Sequence, residues 1–78
     1  MATFTREQID AITIGTKITR GIDDRWSEPR PVVSIHAKQN DIHGKLFVCG
    51  YTTYGEGAQL SFSIKEGDES DARHYRIG

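Results

Sequence analysis

Residues 45–65, KLFVCGYTTYGEGAQLSFSIK, decide the fold. Phe47, Cys49 and Tyr51 alternate with Leu46 and Val48 on one arm. Leu60, Phe62 and Ile64 alternate with Ser61, Ser63 and Lys65 on the other. A period of two sustained along both arms is the pattern of a half-buried β-ribbon. Between the arms, Gly55 and Gly57 flank Glu56 and supply the positive φ angles that a hairpin loop requires. A hairpin alone is marginal in water, so the remaining apolar segments are expected to cover this one.

Those segments lie on both sides. Thr5 is placed to cap a helix, and Gln8 three residues on completes a capping box. Phe4 before the cap and Ile9 after it form the pair of a hydrophobic staple. Ile9 and Ile12 share a face, and the helix is expected to end near Ile12. About two turns are not stable in isolation, so this helix should dock as a lid over one end of the sheet. Residues 14–19 read as a first strand with Ile14 and Ile18 inward. Residues 20–31 contain Gly21, Pro29 and Pro31 and read as a long irregular loop, with Trp26 in its middle between Arg25 and Glu28. Residues 32–37 read as a second strand with Val33 and Ile35 on the core face. Residues 38–44 read as a turn and residues 66–71 as an acidic, solvated turn. His74 to Ile77 closes the chain as a short strand, with Tyr75 and Ile77 on one face.

One short helix followed by about five closely connected strands makes the chain mainly β. The economical arrangement is a small antiparallel SH3-like barrel with a short N-terminal helix, because curling hides the sheet edges. The alternative is an open, curved antiparallel sheet covered by the helix. An OB-type barrel requires longer strands. A length of 78 residues is that of one small β-barrel domain, residues 1–78, with a single thin core. Hydrophobic residues make up 36% and charged residues 27%, which places the chain among globular proteins. The net charge of −1 argues against a generic nucleic-acid binder, which carries a basic excess. No apolar run approaches the roughly 20 residues of a membrane span, and MATFTREQ is not a leader sequence. The single cysteine forms no internal disulfide, which fits a reducing cytoplasm.

Residues with chemical potential occur singly. Cys49 shares the face of Phe47 and Tyr51 and reads as a buried space-filler before it reads as a nucleophile. His36, His43 and His74 stand in no CxxC, HxH or HxxxH pattern, so neither a triad nor a zinc site is expected. Glu66, Asp68, Glu69 and Asp71 lack the loop of a calcium site. Gly55 and Gly57 precede a strand and not a helix, so they form no phosphate cradle. No metal, cofactor or catalytic residue is expected.

Binding is the remaining class. Trp and Arg are the residues enriched at binding hot spots, and prolines lower the ordering cost of a contact loop. Trp26, Arg25 and Arg30 on the loop, with Tyr54 at the hairpin tip, are the candidate contacts with a partner protein. The competing reading makes Trp26 a plug for one end of the barrel. The alternative function is a nucleic-acid-binding barrel, with Lys17, Arg20, Arg25 and Tyr51 as phosphate and base contacts. Four basic against three acidic residues between positions 17 and 30 make a poor electrostatic funnel. A third option is a small-ligand or nucleotide site at a dimer seam. An unpaired edge strand such as 73–77 would allow self-association.

The opening FTREQIDAITIGTKI, residues 4–18, resembles the start of many small proteins encoded by phages of actinobacteria. In those proteins a short helix leads into an apolar-x-Gly-Thr-x-apolar strand of a small SH3-like barrel. The resemblance implies a phage accessory protein that binds a host protein, and it carries over no functional residues. The Ala-Leu-Tyr-Asp-Tyr run of proline-peptide-binding SH3 domains is absent.

Overall fold

Thr5 caps the first helix as its sequence requires. Its Oγ1 accepts from the Gln8 N–H at 3.2 Å, and its own N–H donates to Gln8 Oε1 at 2.8 Å. The helix, α1, spans Arg6–Asp10 in the computed structural model, which describes residues 2–22 and 24–77. Six strands and a second helix follow: β1 (Lys17–Ile22), β2 (Arg25–Trp26), β3 (Arg30–Asn40), β4 (Leu46–Thr53), β5 (Gln59–Lys65), α2 (Glu69–His74) and β6 (Tyr75–Ile77). The fold is mainly β, an antiparallel sheet curled into a half-barrel with α1 on its inner face. The strand order is β2-β1-β3-β4-β5, and β6 returns to pair with β1. No helix is long and apolar enough to cross a membrane among the described residues.

The central hairpin forms as its alternation dictates. β4 and β5 pair without interruption from Phe47–Lys65 to Thr53–Gln59. The tip turns at Gly55 (φ +65°) and Gly57 (φ +70°). Leu46, Val48, Phe62 and Ile64 point inward and join Ile9, Ile12, Ile18 and Val32 in one core. Each such side chain contributes roughly 1.5–3 kcal/mol by leaving water, which is what holds the five-residue helix α1 in place. Phe4 packs against the same core, as the staple requires.

The remaining expectations need correction in four places. Ile14 is 61% exposed, because residues 13–16 form a turn closed by Thr16 N–H to Thr13 C=O, and β1 begins only at Lys17. Val32 and not Val33 is buried. β3 bulges against β4 between Val32 and Ser34 and again between Ile35 and Ala37. Each bulge advances the inward set by one residue, so Val32, Ile35 and Lys38 share the face that strict alternation assigns to Val33 and Ile35. Residues 38–40 extend β3, and the turn starts only at Asp41. Residues 66–71 are not merely a turn. Asp68 accepts from the Asp71 N–H at 3.2 Å and caps α2, with Glu69 and Asp71 in its first turn where the helix dipole favours acids.

Among the described residues the half-barrel does not close by strand pairing, and Arg20 bridges the gap. From β1 its guanidinium donates to Thr52 Oγ1 at 3.1 Å, to the Leu60 carbonyl at 3.0 Å and to the Tyr75 hydroxyl at 3.3 Å. One side chain thus ties β1 to β4, β5 and β6.

Candidate functional site

β1 runs past the start of β3 and continues into a hairpin with β2, pairing Gly21 with Trp26 and Ile22 with Arg25. This is the first departure from the sequence reading at the candidate site: Trp26 lies on a short strand, not mid-loop. Ser27 extends the pairing by donating its N–H to the Arg20 carbonyl at 2.8 Å. Gly21 faces Trp26 for a steric reason. A Cβ at Gly21 would stand 2.6 Å from the indole ring, so only glycine lets the ring lie flat on the strand. Thr19, Gly21, Trp26 and Arg76 share the face of the sheet opposite Ile18, which points into the core. Trp26 therefore does not plug the barrel. It is a half-buried outer-face residue, outside the core cluster.

The other face of the indole carries a cation. The Arg76 guanidinium lies 3.8 Å from the Trp26 ring centroid, close enough for a cation–π contact worth about 0.5–1 kcal/mol at an exposed site. The alternation of β6 explains the placement, since Tyr75 and Ile77 pack toward the core and leave Arg76 outward. Around this pair opens a cleft of about 550 Å³ lined by Asp24, Trp26, Ala72, Arg73, His74 and Arg76. His74 Nδ1 bonds the Ser70 carbonyl at 2.7 Å, which fixes its ring on α2. Arg73 approaches Glu69 one turn earlier at 4.0 Å. Two arginines and a histidine against one aspartate make the lining basic.

The sequence-predicted contacts are partly gathered. Trp26 lines the cleft, whereas Arg25, its neighbour on β2, is not among the cleft residues. Arg30 sits at the start of β3 opposite Ile18 and approaches Glu28 at 3.7 Å. Tyr54 is 56% exposed at the β4–β5 tip and is not among the cleft residues. The sequence reading missed Arg73, His74 and Arg76. No local signal marked them, and Gly21, which makes room for the Trp26 ring, fell within the stretch that reads as a loop.

The nucleic-acid set does not converge on one surface. Arg20 points into the barrel gap and spends its donors there. Tyr51 lies on the outer face of β4, edge-on to His36 at 4.9 Å. Lys17 is at the far end of β1, against Pro31. Cys49 is half-buried on that outer face between its cross-strand neighbours Ala37 and Ser63, not in the core. Among the described residues no group of three or more His, Cys, Asp or Glu side chains is placed to hold a metal.

One ion pair stands out at the opposite end. Asp41 Oδ1 accepts the N–H groups of His43 at 2.8 Å and Lys45 at 2.9 Å, while its other oxygen meets the Lys65 ammonium. Lys65 first, then those backbone donors, hold the Asp41 carboxyl down at about 2, and Asp41 in turn raises Lys65. Burial pushes the Asp71 carboxyl up, although the Lys65 N–H bonds it. These groups clamp turns.

No known protein family, curated protein or solved structure matches this chain.

Proposed function

We propose that this chain is a non-catalytic binding module, that its contact surface is the cleft around Trp26, and that its partner is a protein. The observation that carries the reading is the stack of Gly21, Trp26 and Arg76. A large aromatic stands outside a core that is complete without it, capped by an arginine and open to a basic cleft. Buried aromatics next to arginine are the groups that dominate binding energy at protein interfaces. A rigid strand pair presents them, so little ordering cost opposes association. The return of β6 to β1 after a meander fits an SH3-like barrel. With the resemblance of residues 4–18, it supports a phage accessory protein that acts in the cytoplasm on a host protein.

Trp26 is the sole tryptophan, so its emission reports on the cleft directly. Binding of a captured partner should shift that emission, and Arg76→Ala should weaken affinity at least tenfold with an unchanged circular dichroism spectrum. Unchanged affinity in both Arg76→Ala and Arg73→Ala rejects the cleft. If single-stranded DNA quenches Trp26 and the effect collapses with added salt, the partner is nucleic acid and the protein reading fails.

A further inference from the structure

β5 is an edge strand whose outer backbone is uncovered from Gln59 to Ser63 among the described residues. Two bonds that flank its ladder set the parity. Glu66 N–H donates to the Leu46 carbonyl at 2.9 Å, and Tyr54 N–H to the Ala58 carbonyl at 2.9 Å. Between them the register runs without a bulge. Bonded and non-bonded pairs alternate in an antiparallel ladder, so Leu60, Phe62 and Ile64 exchange bonds with Thr52, Gly50 and Val48. The N–H and C=O groups of Gln59, Ser61, Ser63 and Lys65 therefore point away from β4. Lys65 agrees with this parity, because its N–H donates to Asp71 Oδ2 at 2.9 Å, where the next strand would lie. Gln59, Ser61 and Ser63 are exposed, and β5 pairs with β4 alone among the described residues.

Natural edges are blunted by charge, proline or bulges. Residues 58–64, AQLSFSI, contain none of these and no glycine. An uncharged, β-prone run of this length is the composition that pairs with itself. The segment is also self-complementary. Two antiparallel copies related by an axis at Ser61 place Ser61 against Ser61 and Gln59 against Ser63. Every outward group from 59 to 63 is then bonded, no charges meet, and Lys65 keeps its bond to Asp71. Leu60, now 38% exposed, comes to lie opposite Phe62 of the second copy.

We infer that β5 pairs antiparallel with β5 of a second copy about a two-fold axis at Ser61, forming a dimer with one continuous sheet. The paired edge is five residues long and buries far less than the roughly 1,600 Å² of a standard interface, so the dimer is weak and concentration-dependent. The Trp26 cleft lies on the β1–β2 hairpin and α2, so this dimer stands or falls independently of the proposed function.

Sedimentation velocity from low micromolar to millimolar protein tests it. Wild-type chain should shift from monomer to dimer. Ser61→Lys and Ser61→Glu should each stay monomeric, since like charges meet at the axis, and an equimolar mixture of the two should dimerise. Ser61→Pro should also be monomeric with an unchanged spectrum, because the N–H it removes faces outward. If Ser61→Pro does not fold, the charged pair decides alone. A wild-type monomer at millimolar concentration overturns the inference, as does a dimer that persists in both charged variants or a mixture that fails to associate. A monomeric wild type whose Ser61 and Ser63 amide resonances shift with an unrelated Thr-Val repeat peptide assigns the edge to foreign strands, and equally overturns it.

Discussion

Gly50 shows how one atom constrains the sheet. It lies in the middle of β4 opposite Ile35, between the two bulges of β3. A Cβ there would stand 2.1 Å from the Ser34 carbonyl oxygen, which is backbone and has no side-chain freedom to move aside. The bulges press β3 onto β4 at this point, and only a residue without a side chain tolerates the approach. Gly50→Ala should therefore destabilise by about 3 kcal/mol, lowering the melting temperature by roughly 10–20 °C in a domain of this size. A thermal scan by circular dichroism checks it. Gly21 illustrates the same reasoning on the outer face, where the missing side chain makes room for the Trp26 ring.

Among the elements, the β3–β4 turn and the end of β5 are joined by the Asp41–Lys65 pair, and this coupling has a pH signature. The Asp41 carboxyl is held below its ordinary 3.8, at about 2, so its contribution is present above pH 3.8 and is lost as pH falls toward 2. Lys65 is raised above its ordinary 10.5, so its contribution is present below that pH and is lost as pH rises beyond it. Asp41→Asn should flatten both limbs of the stability–pH curve, measured by urea denaturation at a series of pH values. A variant whose limbs match the wild type would show that the pair does not couple these turns. The helix α1, the central hairpin and the final strand were legible as elements because each carries its own local signature, a capping box or an unbroken alternation. The phase of β3 was not, because two bulges shift its inward residues to a spacing of three that resembles a helix more than a strand. The strand character of Trp26 was hidden for a related reason: a two-residue strand is too short to show a period.

For the whole molecule, the open side of the half-barrel depends on Arg20. Its fork reaches groups on three other strands, one of them the fully buried Thr52 hydroxyl. Arg20→Ala should cost about 2–3 kcal/mol. Hydrogen exchange should accelerate in β4, β5 and β6 before β3, because Arg20 bonds residues of those three strands and none of β3. Uniform acceleration across the sheet would show that Arg20 is not the clasp. Of the candidate site, Trp26 was legible as a residue type. Arg73, His74 and Arg76 were not, because they reach the cleft on a helix and a returning strand from the far end of the chain.

Local pattern alone settled that this chain builds a mainly β, antiparallel body with a capped helix at its start, since alternation and capping act between near neighbours. Which face of β3 turns inward, which arginine lies on Trp26 and which edge stays bare were decided only by tertiary structure. Those outcomes depend on contacts between residues tens of positions apart, where one bulge or one returning strand reverses what adjacent residues suggest.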